Sequence, residues 1–362
     1  MAITHGHEDH LGALPFILPD LPSFPIYATN LTAEFSNSKL KEFGLTQRVQ
    51  KVEFDGGDIK IGSFSLSFIR LTHSVPDTAN IFIKTPIGNF YHGSDFKFDL
   101  TPFDGKKPDF NKISNLSKQG VICLMSDCLR AEQKGHTPTE ITISAAFEKE
   151  LAICKGKFIV TTYSSNIARV SQIVQAAIKF NRKVCFVGRS VIKGKEIAQN
   201  LGYLKIDQGM EIPLEQLKNY KDANIVLIVA GSQGQENSAL TRIVNGDHRD
   251  VKLNPADSVI FSADPIPGNE ISVNSLIDSI ARRGARVIYS DISNDFHVSG
   301  HAASDDLVMM MDLTSPRKVL PIGGTYKQMV QYKELAREQG FEDKNIILIE
   351  NGQEVIFTKD TS

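Results

Sequence analysis

Six residues at the start of the chain, His5-Gly6-His7-Glu8-Asp9-His10, concentrate four metal-donor side chains in one short stretch of a 362-residue sequence. Neutral imidazoles and a carboxylate are zinc-type ligands, and a tight loop aims consecutive side chains in different directions. His5 and His7 can then hold one ion while Asp9 and His10 hold a second. Two ions set close together can share a hydroxide and clamp the oxygens of a displaced group. The bland alternative, a polar loop with stray histidines, needs this density of donors to arise by accident. Two further donors stand at the ends of expected strands: His73 in Thr72-His73-Ser74-Val75-Pro76-Asp77, and Asp95 in His92-Gly93-Ser94-Asp95-Phe96-Lys97. Each alone reads as a turn former. On the rim of a sheet they become candidate metal ligands.

Such donors need strands to place them. Phe64, Leu66 and Phe68 alternate with Ser63, Ser65 and Ser67, the period of a half-buried strand, expected to run on through Thr72-His73-Ser74. Short strands are expected at 25–28, 50–54, 80–84 and 88–92, and a buried one at 120–126. From about Thr139 buried strands alternate with helices: helix 141–154, strand 157–162, helix 166–181, strand 183–187, a helix, then strands 224–230 and 258–262, helix 271–284 and strand 285–290. That alternation predicts a parallel α/β sheet. The tail returns to strand and helix, with 318–321, helix 326–339, and strands 345–350 and 354–358. A β-rich part, an α/β part and a short return are the order that an insertion within one domain produces.

Net charge is −2, so a nucleic-acid binder would have to concentrate its cations locally. Cys123, Cys128, Cys154 and Cys185 form no C-x-x-C pair and suggest no disulfide framework, which fits a reducing cytoplasmic setting. No apolar run approaches the roughly 18 residues of a membrane span. Almost no strand precedes the metal motif, and the N-terminus reads as truncated.

The motifs H-G-H-E-D-H, T-H-S-V-P-D and G-S-D-F-K-F-D resemble those of the metallo-β-lactamase superfamily. Later segments narrow the resemblance to the β-CASP nucleases and, among them, the bacterial ribonuclease J family: Leu124-Met125-Ser126-Asp127, Gly135-His136-Thr137-Pro138-Thr139-Glu140, Gly231-Ser232-Gln233-Gly234, Phe261-Ser262-Ala263-Asp264-Pro265-Ile266-Pro267-Gly268-Asn269-Glu270 and Phe296-His297-Val298-Ser299-Gly300-His301-Ala302. The resemblance implies an α/β fold, a metallo-β-lactamase αβ/βα sandwich with an inserted α/β β-CASP domain. The domains expected are 1–145, 146–292 and 293–362. It implies that His5, His7 and His73 hold one zinc, that Asp9 and His10 hold the other, and that Asp95 bridges them; Mn2+ or Mg2+ are alternative ions. Asp9, Asp127 and His301 would be catalytic, His301 as proton donor to the leaving oxygen or as phosphate ligand. Ser232, Ser262, His297, Ser299, Gly300 and His301 would bind substrate. Arg169, Arg189, Lys193 and Lys195 could line a nucleic-acid channel, or form an ordinary solvated face, and His136 and Glu140 would cap the helix starting near Thr139.

One departure bears on the chemistry. Where the family has its last metal-ligating His, this chain reads Pro321-Ile322-Gly323-Gly324, and glycine offers no side-chain donor. Two zincs per chain are expected, the second more weakly held. The implied activity is zinc-dependent hydrolysis of RNA, 5′-to-3′ exonucleolytic and endonucleolytic, preferring a 5′-monophosphate, in a homodimer or homotetramer and away from membranes. The alternatives are an inactive or auxiliary RNA-binding homologue, and a hydrolase of a small phosphodiester or thioester.

Overall fold

The computed structural model describes residues 1–359. The chain forms two compact units, one of 1–139 with 299–362 and one of 140–298. These junctions lie within a few residues of the expected 145/146 and 292/293. Glu140 belongs with the inserted unit because its carboxylate pairs with Arg169 at 2.7 Å and its carbonyl accepts from Gln172.

The first unit is built on two sheets. β1 (Ala2–Ile3), β2 (Ile26–Thr29) and β3 (Val49–Val52) run parallel in that order. β4 (Ile59–Ile61), β5 (Phe64–Arg70), β6 (Ala79–Thr85) and β7 (Gly88–His92) form an antiparallel meander, continued in parallel by β8 (Val121–Asp127) and by a return strand, Pro316–Ile322. Val52, Phe54, Leu66, Phe68 and Ile81 pack the two sheets face to face. Helix Asn30–Glu42 covers the outside of the small sheet. Helices Phe110–Ser117, Ser304–Thr314 and Tyr326–Glu338 cover the large one around Leu124, Val319, Met310 and Tyr332. The result is a helix–sheet–sheet–helix sandwich.

The inserted unit carries β9 (Phe158–Thr161), β10 (Lys183–Val187), β11 (Ile225–Val229), β12 (Ser258–Phe261) and β13 (Arg286–Ile288), all parallel, in the order β10-β11-β9-β12-β13. Crossover helices Ile167–Lys179, Arg189–Asn200 and Glu270–Arg282 join them. Every residue of β11 is buried, as a strand covered on both faces must be, and each such side chain stabilises by about 1.5–3 kcal/mol. The chain order reverses beside β9, so the turns after β9, β11 and β12 gather where parallel sheets usually bind ligands.

Several expectations change, and helices Phe110–Ser117, Ala239–Asn245 and Ser304–Thr314 stand where none was expected. The helix Asn30–Glu42 was not anticipated, since its buried face includes Thr32, Ala33 and Ser36 and shows little apolar periodicity. β5 ends at Arg70 rather than Ser74, because the chain turns away and Asp77 takes φ 61°. Residues 345–350 and 354–358 form no strands. Their backbone touches the sheet at a single bridge, Val319 to Ile346, while Ile347, Ile349, Val355 and Phe357 lie against Ile122, Cys123 and Leu320. Their apolar side chains reflect burial, not ladder pairing.

Candidate metal centre

The donors come from the ends of strands on one edge of the first unit. The loop after β1 carries His5 and His7 and enters a single helical turn, Glu8–Leu11, with Asp9 and His10. The segment after β5 presents His73. After β7, Gly93 donates its N–H to Met125 O at 2.6 Å and Ser94 adopts φ 42°, which turns the chain into Asp95. β8 ends on Asp127, and the segment before helix Ser304–Thr314 supplies Gly300 and His301.

Asp95 is the hub. Its Oδ2 lies 3.2 Å from His10 Nε2, 3.6 Å from His5 Nε2 and 3.9 Å from His73 Nε2. One donor atom from each of His5, His7, His73 and Asp95 falls in a single small cluster, and Asp9, His10 and Asp95 form another. A third comprises Asp95, Asp127 and His301. Burial and neighbouring imidazoles push His5 and His73 well below the usual histidine range. Burial also takes His7 down to about 4, against the pull of Asp9 and Asp95. Burial opposes ionisation of Asp95, yet its hydrogen bond to His10 and the surrounding imidazoles hold its carboxyl well below the usual carboxylate range. Neutral imidazoles facing an ionised carboxylate are what a cation requires.

The outward ring nitrogens are tied. His73 Nδ1 donates to Gly300 O at 2.7 Å, which leaves Nε2 with a lone pair, 3.0 Å from His7 Nδ1. His7 Nε2 bonds Ser74 Oγ at 2.9 Å, and His5 Nδ1 bonds Thr4 Oγ1 at 3.1 Å. Such partners fix tautomer and ring orientation. His5 Nε2 is fully buried, has no hydrogen-bond partner and faces Asp95. A buried orphan nitrogen is costly unless something satisfies it, and a divalent cation would. The residues present therefore fit a metal.

Buried Asp127 and half-buried His301 form a pair, His301 Nδ1 to Asp127 Oδ2 at 2.8 Å. Burial disfavours the imidazolium, but the Asp127 carboxylate more than offsets it and raises His301 to about 9. Burial raises Asp127, with His301 pulling against it.

The expected substrate contacts are placed unevenly. Ser299 Oγ accepts the His301 N–H at 3.1 Å. The Gly300 carbonyl holds His73, and a Cβ on Gly300 would stand 2.5 Å from that ring, so only glycine fits. Ser232 is buried in the turn after β11, and His297 Nε2 lies 3.6 Å from Asp264 Oδ2. Ser262 is a correction. It is fully buried, its hydroxyl donates to Phe296 O at 2.6 Å, and Arg169 Nη1 reaches that hydroxyl at 2.6 Å, so no substrate reaches it here. Of the four residues offered as a basic lining, two are engaged within the fold. Arg169 is fully buried and binds Glu140, Ser262 and Phe296, while Lys195 pairs with Glu211 at 2.6 Å. Finally, His136 bonds Asp306 in the first turn of helix Ser304–Thr314, not the helix that follows it in sequence. Thr4, Ser74 and Ser94 were not singled out from sequence, although each adjoins a candidate ligand.

Gly323 follows the return strand, whose Ile322 pairs with Asp127. Its φ is +80°, a left-handed conformation suited to glycine, and no donor replaces the expected His there.

An αβ/βα sandwich with a histidine–aspartate metal centre, interrupted by a parallel α/β unit, defines a metallo-β-lactamase fold with a β-CASP insertion. Residues 155–280 match the family described as ribonuclease J, beta-CASP domain, and residues 291–348 match the Zn-dependent metallo-hydrolase RNA specificity domain. The chain is 37% identical to ribonuclease J of Synechocystis over 99% of its own length and 56% of that protein's. It is 38% identical to ribonuclease J of Thermus thermophilus, covering 99% and 64%, and 33% identical to ribonuclease J2 of Bacillus subtilis, covering 98% and 64%. It thus spans less than two thirds of these relatives. A protein of unknown function from Enterococcus faecalis V583 shares the fold, with TM-score 0.66 and 16% identity over 98% of this chain and 80% of that one. The chain is thus similar to ribonuclease J proteins along nearly all of its own length, and it has the donor set of a metal cofactor. Among the described residues no helix is long and apolar enough to cross a membrane.

Proposed function

We propose that this protein is a zinc-dependent ribonuclease that hydrolyses RNA phosphodiester bonds. The observation that carries the reading is the convergence of His5, His7, His73, Asp9, His10 and Asp95, with the Asp127–His301 pair beside them. Two zincs would bind, one on His5, His7 and His73, the other on Asp9 and His10, with Asp95 between them. Bound divalent ions supply Lewis acidity, lowering the pKa of a water and polarising phosphoryl oxygens. The chain's residues do the rest. Buried Asp127 orients the His301 ring and keeps it protonated at neutral pH, so that His301 can deliver a proton to the leaving oxygen. Ser232 and His297 of the inserted unit, and Ser299 and Gly300 of the first, are the proposed contacts to RNA phosphates. The similarity to ribonuclease J favours a 5′-monophosphate preference, both exonuclease and endonuclease modes, and assembly into dimers or tetramers. Four free, buried cysteines favour a cytoplasmic setting.

Gly323 and the exposure of Asp9 favour a second reading, an auxiliary RNA-binding homologue with an incomplete second metal pocket. The test is degradation of 5′-monophosphate RNA with zinc or manganese beside a His73→Ala control. Equal degradation by both proteins removes the catalytic reading. RNA binding without degradation selects the auxiliary one.

A further inference from the structure

Asp95 depends on a backbone conformation that its own neighbour should resist. Ser94 takes φ 42°, a left-handed geometry that side chains other than glycine rarely adopt. Something must hold it there. Its hydroxyl lies 2.8 Å from Thr4 Oγ1, and both residues are buried. Thr4 Oγ1 is also 3.1 Å from His5 Nδ1. A threonine hydroxyl has one proton. If Thr4 donates to Ser94, it is an acceptor toward His5, Nδ1 carries the ring proton, and Nε2 presents a lone pair. That is the nitrogen left without a hydrogen-bond partner and facing Asp95 Oδ2 at 3.6 Å. If Thr4 donated to His5 instead, Nε2 would carry a proton aimed into the metal centre.

We infer that Thr4 and Ser94 form a clasp that sets the His5 tautomer and pins the backbone leading to Asp95, so both are positioning residues for the first metal. The clasp ties the loop after β1 to the turn after β7, residues ninety apart in sequence that supply two ligands to one pocket. His7 and His73 take their orientation elsewhere, from Ser74 and Gly300, so removing the clasp leaves two ligands properly presented. The expected effect is weaker binding, not loss of the site. The inference rests on the metal reading and is independent of RNA as the substrate.

The test is zinc affinity of the full chain, measured by competition with a chromogenic chelator, beside thermal melting of the metal-free protein. Thr4→Val, similar in shape but lacking the hydroxyl, should weaken the tighter zinc by about 10- to 100-fold. Thr4→Ser should restore it. Ser94→Ala removes the hydroxyl and keeps the strained backbone, so it should weaken zinc and lower the melting temperature. Ser94→Gly removes hydroxyl and strain together, so it should weaken zinc while melting no lower than wild type, which keeps the test valid if Thr4→Val folds poorly. Zinc affinities of Thr4→Val and Ser94→Gly within twofold of wild type would overturn the clasp. A wild-type chain that takes up no zinc would instead overturn the metal reading beneath it.

Discussion

The two halves of the metal centre are built to different standards. In the first, the side chains of His5 and His73 are essentially buried, and each of the three imidazoles has its outward nitrogen fixed by Thr4, Ser74 or Gly300. In the second, the Asp9 side chain is 77% exposed and His10 sits 29% exposed on a single turn of helix. Asp95 serves both, and Gly323 adds no donor. Donors already held in place lose little freedom on binding, whereas an exposed carboxylate must be immobilised when the ion arrives. The same ligand types therefore yield a preorganised pocket and a loose one.

Replacing His73 with alanine should break the first pocket outright. Loss of a ligand to the metal that stabilises the reacting charge should lower kcat/KM on 5′-monophosphate RNA by about 10³-fold or more, measured by single-turnover cleavage. Near-normal cleavage would show that the first pocket is not where the chemistry happens. Asp127→Asn should lower kcat by about 10²- to 10⁴-fold while the tight zinc stays bound, because the residue acts through His301. If metal analysis showed that zinc lost, Asp127 would be a ligand within its own donor group and not only the holder of a proton donor. Asp9→Asn should leave the first zinc equivalent untouched and abolish the second. In wild-type chelator competition the two equivalents should differ in affinity by about tenfold or more. Equal affinities would erase the contrast.

How much of this could be read from residues alone followed the range of the interaction. The H-x-H-x-D-H loop is a set of side chains whose types announce their chemistry, and the α/β alternation of the insertion follows from its buried apolar strands. His73 and Asp95 gained weight only from their places at strand ends, and Asp127 and His301 only from the resemblance. What stayed hidden was whatever depends on partners distant in sequence. Thr4 meets Ser94, Ser74 meets His7, and Gly300 offers His73 a carbonyl that glycine shares with every residue. Ser262 and Arg169 were misjudged for the same reason. A serine after a strand and an arginine on a helix carry no sign that they will be buried against each other. Helix Asn30–Glu42 escaped because its buried face mixes Leu31 and Leu40 with Thr32, Ala33 and Ser36, which blurs the apolar periodicity that was sought.

The smallest effect should appear in the metal-free protein, and it separates the pockets by sign. His5, His7 and His73 are lowered in the folded state, His7 to about 4. Below about pH 6.5 the unfolded chain binds protons at these positions and the folded chain does not. Stability should fall with pH by up to about 1.4 kcal/mol per pH unit for each such imidazole. His10 and His301 are raised, His301 to about 9. Below pH 6.5 both carry their protons folded and unfolded, so their contribution is already fully present and adds no slope there; it is lost only as pH rises through their folded values. Chelator-treated protein should therefore melt at progressively lower temperature from pH 7 to pH 5.5. His5→Asn should flatten that decline, and His10→Asn should leave it unchanged. If His10→Asn flattened it as much as His5→Asn, the neutral, preorganised imidazoles would not be confined to the first pocket.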